Sequence, residues 1–126
     1  MVGIVIVSHS EKLAESVVEL SALMAPETPM AAAGGMEDGG FGTSFEKIYA
    51  AIDSVYSDDG VIVLMDLGSA VMTTEMVIEA MEGQLIKMVD CPIVEGAISA
   101  SVVSAGGAPI EEVIESAKMA STMNKF

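Results

Sequence analysis

The chain holds one histidine, His9, in the stretch Val7-Ser8-His9-Ser10, directly after the apolar run Val2-Gly3-Ile4-Val5-Ile6-Val7. That run reads as a buried strand, and open α/β sheets bind ligands at the carboxyl ends of their strands. At such a rim an imidazole can act as nucleophile, base or metal ligand near neutral pH. A second apolar run, residues 61–65, ends in Asp66-Leu67-Gly68-Ser69. Between the two lies a glycine-rich segment, residues 34–43, that closes on Thr43.

Phosphoryl transfer through histidine is the chemistry this set suits. One imidazole nitrogen attacks phosphorus, while the other needs an acceptor that fixes the tautomer and stabilises the developing positive charge. Asp66 is the candidate acceptor, in the orienting role an aspartate has in a hydrolase triad. Candidate donors to the phosphoryl oxygens are the hydroxyls of Ser10, Thr43 and Ser69, flexible glycine amides such as that of Gly68, and the first amides of a following helix. The competing structural roles are a loop histidine that only hydrogen-bonds and an Asp66 that only caps a helix.

Other site chemistries lack their residues. There is no Gly-x-x-x-x-Gly-Lys-Ser/Thr and no complete Gly-x-Gly-x-x-Gly, so a nucleotide-cradling loop is unsupported. No Gly-x-Ser-x-Gly elbow supplies a hydrolase serine. One histidine and one distant cysteine do not make an ordinary zinc site, and no metal or cofactor is expected. A receiver domain would need acidic metal ligands where this chain has Ser8-His9-Ser10.

Composition narrows the partners. The net charge is −14, with five lysines and no arginine, which argues against a nucleic-acid footprint and against anionic membranes. Without arginine, the cation that helps a phosphoryl group move must be lysine or come from a docked protein. The single Cys91 allows no internal disulfide, which suits a reducing compartment, and it reads as a small buried residue at a strand end. With no apolar run near ~20 residues and no basic leader, the expectation is one cytoplasmic domain spanning 1–126.

The elements that must position these groups alternate. Strands are expected at 2–7, 30–33, 61–65 and 85–89, and helices at 12–24, 44–55, 70–81 and 110–123. Ser10 is the expected N-cap of the first helix, whose buried stripe reads as Leu13, Val17, Leu20 and Leu23. The second helix presents Phe45, Ile48, Ala51, Ile52 and Val55 on one face. Residues 93–104 read as a short helix or an irregular segment, and Pro109 as a first-turn proline. The alternation gives an open, mainly parallel α/β sheet with helices on both faces. Strand order does not follow from the pattern alone. An order of 2-1-3-4 would set His9 and Asp66 across the switch point.

Three segments together, Ile4-Val5-Ile6-Val7-Ser8-His9-Ser10, Met65-Asp66-Leu67-Gly68-Ser69-Ala70 and Pro92-Ile93-Val94-Glu95-Gly96, resemble the mannose-type IIA (EIIA) domains of the phosphoenolpyruvate-dependent phosphotransferase system. Within that family the resemblance is to the phosphoryl-donor subunits of dihydroxyacetone kinase, through Met-Asp-Leu-Gly-Ser-Ala. It implies the 2-1-3-4 sheet of the mannose-type EIIA fold, a homodimer and a phosphorylated His9. Asp66 would orient His9, with Thr43 and Ser69 as pocket hydroxyls. It further implies that phosphate arrives from the phosphocarrier protein HPr and passes to ADP on the DhaL subunit, for use by DhaK on dihydroxyacetone. Some relatives carry fused phosphocarrier domains, so a chain ending at Phe126 is expected to use a separate donor. A sugar-transporter IIA component and a non-catalytic regulator with a bystander His9 remain the alternatives.

Overall fold

A computed structural model describes all 126 residues. Four parallel strands form one sheet in the order β2-β1-β3-β4: β1 Gly3–Ser8, β2 Met30–Gly34, β3 Val61–Met65 and β4 Ile86–Met88. Five helices connect and follow them: α1 Glu11–Met24, α2 Phe45–Val55, α3 Ala70–Ala80, α4 Ile93–Ala105 and α5 Ile110–Met119. A 3-10 turn, Ala120–Thr122, follows α5. None of the helices is long and apolar enough to cross a membrane.

Strand side chains alternate between faces, and both faces are covered. Ile4, Ile6, Ile62 and Leu64 pack under α1, α4 and α5. Val5, Val7, Val61 and Val63 pack under α2 and α3. This double burial explains why β1 and β3 read as unbroken apolar runs.

The α2 face agrees with the sequence reading, since Ile48, Ala51, Ile52 and Val55 are buried. The α1 face does not. Its buried residues are Ala14, Val17 and Ser21, whereas Leu13, Leu20 and Leu23 are exposed, Leu23 to 77%. The reason lies in α4, which is fully helical and packs against α1 through its own small residues. Gly96, Ala97, Ala100, Ser101 and Ser104 form its buried stripe. Two helices that meet through small side chains approach closely, and the larger ones turn outward.

Smaller differences have local causes. Pro109 is extended, with ψ of 163°, and caps α5 from outside instead of starting its first turn. The last helix stops at Met119, where its backbone tightens into the 3-10 turn. β4 is shorter than expected, pairing only through Ile86, Lys87 and Met88. Cys91 is half-buried in the bend after β4 and not within the core.

Candidate active site

The ends of β1 and β3 lie side by side, because Val7 pairs with Met65. Asp66 N–H continues the pairing by donating to Val7 O at 3.2 Å. This register puts Ser8 and His9 opposite Asp66. Close packing fixes the turn from another direction. A Cβ on Gly34, at the end of β2, would sit 2.5 Å from Ser10 O and 2.8 Å from Glu11 Cα. Only glycine lets β2 pass so near the start of α1.

His9 is held by both ring nitrogens. Nδ1 lies 3.1 Å from Asp66 Oδ1, and Nε2 lies 2.8 Å from Ser69 Oγ. The side chain is 26% exposed and that of Asp66 13%. The carboxylate therefore accepts the Nδ1 proton, which leaves the Nε2 lone pair to accept from the Ser69 hydroxyl.

Asp66 is itself fully engaged. Oδ2 accepts from Ser8 Oγ–H at 2.8 Å and from His9 N–H at 3.1 Å. Oδ1 accepts from Leu67 N–H at 2.8 Å as well as from the ring. Burial alone would push this carboxyl's pKa up. The bonds from the His9 amide, the Ser8 hydroxyl, the His9 ring and the Leu67 amide outweigh it and hold the pKa below the ordinary carboxylate value. Asp66 is thus an anion aimed at His9. It does not cap α3, whose N-cap position is Ser69 with no side-chain capping bond.

Ser8, which sequence reasoning did not single out, is wholly buried. Its hydroxyl donates to Asp66 and accepts from Ser10 N–H at 3.0 Å. A signal was present, because a polar residue closing an otherwise apolar strand needs a buried partner.

The other expected donors are placed unevenly. Ser10 caps α1, accepting from Leu13 N–H at 3.2 Å. Gly68 lies in the turn before α3, where neither its amide nor that of Ser69 donates to another group of the chain. The Thr43 hydroxyl pairs with that of Thr73 at 3.0 Å, and the ring's own hydrogen bonds go to Asp66 and Ser69. The glycine-rich segment hydrogen-bonds to His9 through the main chain, by Gly42 N–H donating to His9 O at 2.9 Å. No lysine stands at the imidazole. Lys47, one helix away, holds Glu11 and Gly34 O, each at 3.0 Å.

Comparison with known proteins gives this arrangement a family. The model described as "PTS system fructose IIA component" matches residues 3–114. The phosphoryl donor subunit DhaM of the PEP-dependent dihydroxyacetone kinase of Escherichia coli K12 is 40% identical over 121 residues, covering 90% of this chain. The chain spans only 26% of that relative's length. The phosphotransferase subunit DhaM of the PTS-dependent dihydroxyacetone kinase of Lactococcus lactis IL1403 is 37% identical, with 90% of each protein covered. Among solved structures, a protein of unknown function, EF1359, superposes with a TM-score of 0.81 at 27% identity and 94% coverage of both chains. The dihydroxyacetone kinase of C. freundii matches at a TM-score of 0.75, and its 13% identity makes this a likeness of fold. The chain belongs to the mannose-type IIA family of the phosphotransferase system and groups there with the phosphoryl-donor subunits of dihydroxyacetone kinases.

Proposed function

We propose that the protein carries a phosphoryl group on His9 Nε2 for a phosphotransferase-dependent dihydroxyacetone kinase. The observation that supports this most is the imidazole itself, anchored at Nδ1 by an ionised Asp66 and presenting Nε2 beside Ser69. The Nε2 lone pair attacks the phosphorus of a phosphohistidine on HPr. The new N–P bond forms as the donor's N–P bond breaks; the electron pair of that bond returns to the donor nitrogen, and the donor leaves as neutral imidazole because its other ring nitrogen carries a proton. Asp66 stabilises the cationic ring through the Nδ1 proton. Ser69 Oγ–H turns from Nε2 to the incoming phosphoryl oxygens, joined by the free amides of Gly68 and Ser69 at the start of α3. In the second half-reaction a terminal phosphate oxygen of ADP, bound on DhaL, attacks the same phosphorus. The His9 N–P bond breaks and ATP forms, which DhaK uses on dihydroxyacetone.

On this reading the chain works as one domain, as a homodimer, in the cytoplasm, with no cofactor or metal. The matching family model carries the name of a fructose component, which favours a sugar-transporter IIA role as the second reading. A two-stage assay separates them. Phosphoenolpyruvate, enzyme I and HPr should load acid-labile phosphate onto the wild-type chain but not onto His9→Ala. Adding DhaL, DhaK, ADP and dihydroxyacetone should then discharge it into dihydroxyacetone phosphate. Loading without discharge would favour the transporter role, and no loading would make His9 a bystander.

A further inference from the structure

Beside the phosphoryl site a recess of about 330 Å³ opens between the ends of β3 and β4. Met65, Leu67, Val71 and Met88 wall it, and Asp90 stands at its edge. It shares the Asp66–Gly68 backbone with the site, so a protein that covers His9 also covers the recess. None of the five lysines lines it.

Two carboxylates border this space, and they differ. Asp66 already accepts four hydrogen bonds, which fills the roughly four acceptor positions a carboxylate offers. Asp90 is exposed and takes part in none of the chain's ion pairs. Its field reaches inward. The Cys91 thiol beside it is pushed up to about 11, first by burial and then by the Asp90 charge, so the sulfur is a neutral wall. The recess therefore combines apolar sides with a single uncommitted anion.

We propose that this recess seats one lysine or arginine side chain of the protein that exchanges phosphate with His9, its aliphatic stem against Met65, Leu67, Val71 and Met88 and its charged end on Asp90. Long basic side chains bury their stems in this way while their heads stay at the water boundary. Charge complementarity selects the occupant, because a chain of net charge −14 without arginine meets a basic partner surface most readily. The inference rests on the phosphoryl-carrier reading and adds to it a docking position distinct from the reacting atoms.

The test uses the full chain and two phosphoryl donors, phospho-HPr and the small molecule phosphoramidate, which needs no docking surface. Asp90→Asn should raise KM for phospho-HPr about threefold at low salt, as loss of one partly exposed ion pair does. That difference should vanish near 0.5 M salt. Val71→Phe, which fills the recess, should raise KM about tenfold, the scale of a lost interface anchor. Both variants should keep wild-type kcat and wild-type rates with phosphoramidate. Asp90→Asn changes only an exposed side chain and decides the question alone if Val71→Phe does not fold. Wild-type KM in both variants would overturn the proposal. A response to Val71→Phe without one to Asp90→Asn would make the occupant apolar and overturn the basic one. Slowing with phosphoramidate would place the recess in the chemistry and overturn docking. Failure of the wild-type chain to take phosphate from phospho-HPr, while accepting it from phosphoramidate, would instead overturn the relay reading itself.

Discussion

The two sides of the His9 turn are built differently. On the β3 side, side chains meet the ring: Asp66 Oδ1 at Nδ1 and Ser69 Oγ at Nε2. On the β2 side, the hydrogen bonds to Ser8 and His9 are confined to the main chain. Gly42 N–H holds His9 O, and Gly35 N–H holds Ser8 O at 3.1 Å. Thr43 faces Thr73. One side sets the tautomer and orientation of the ring, and the other fixes the backbone that carries it. Substitutions on the first side should therefore change rates, and those on the second should change stability.

The largest contrast is expected at Asp66. Asp66→Ala should slow phosphorylation of His9 by about 100-fold or more, by analogy with loss of a tautomer-fixing carboxylate. The loss should appear with phosphoramidate as well as with phospho-HPr, because it touches chemistry and not docking. Single-turnover rates alongside thermal unfolding check this, and an unchanged rate with lowered stability would reduce Asp66 to a structural role.

Ser69→Ala should cost about tenfold in the same assay. That is the effect of one hydrogen bond to a charged group, about 1.5 kcal/mol. Thr43→Ala should change the rate less than about threefold while lowering stability by about 1 kcal/mol, the value of an ordinary hydrogen bond. A rate loss at Thr43 equal to that at Ser69 would show that the glycine-rich segment closes onto the phosphoryl group.

The smallest effect is a difference in acid stability. The folded-state pKa of Asp66 is depressed, so its contribution is present above the ordinary carboxylate value near 3.9. It is lost as pH falls through the lower folded value. Asp66→Asn should flatten stability against pH over that acid range, as followed by urea unfolding. A profile parallel to wild type would mean the four bonds to the carboxylate contribute no net preference for its charged form.

Much of this architecture was legible in the sequence, for identifiable reasons. β1 and β3 are buried on both faces, so they show as continuous Val-Ile-Leu runs, and α2 buries Ile48, Ala51, Ile52 and Val55 at helical spacing. The α1–α4 contact was not legible, because periodicity ranks residues by size and this contact selects small ones. A window that scored Ala14, Ser21, Ala97, Ala100 and Ser101 as candidates for close packing would have found it. At the site, strand-end position brought out His9 and Asp66, since it depends on chain order alone. The pairing of Thr43 with Thr73 was not legible, because loop position does not reveal which neighbour a hydroxyl meets. Ser8 was overlooked, although its burial at the strand end is what secures the second carboxylate oxygen. The reacting nitrogen could be read only from the contact of Nδ1 with Asp66.

The most direct test of the account is the position of the phosphate after the wild-type chain is incubated with phosphoenolpyruvate, enzyme I and HPr. Phosphorus NMR of the intact phosphoprotein should show a single Nε2-phosphohistidine, stable in alkali, lost in acid and absent from His9→Ala. Phosphate on Nδ1, or on Asp66 in the His9→Ala chain, would contradict the account.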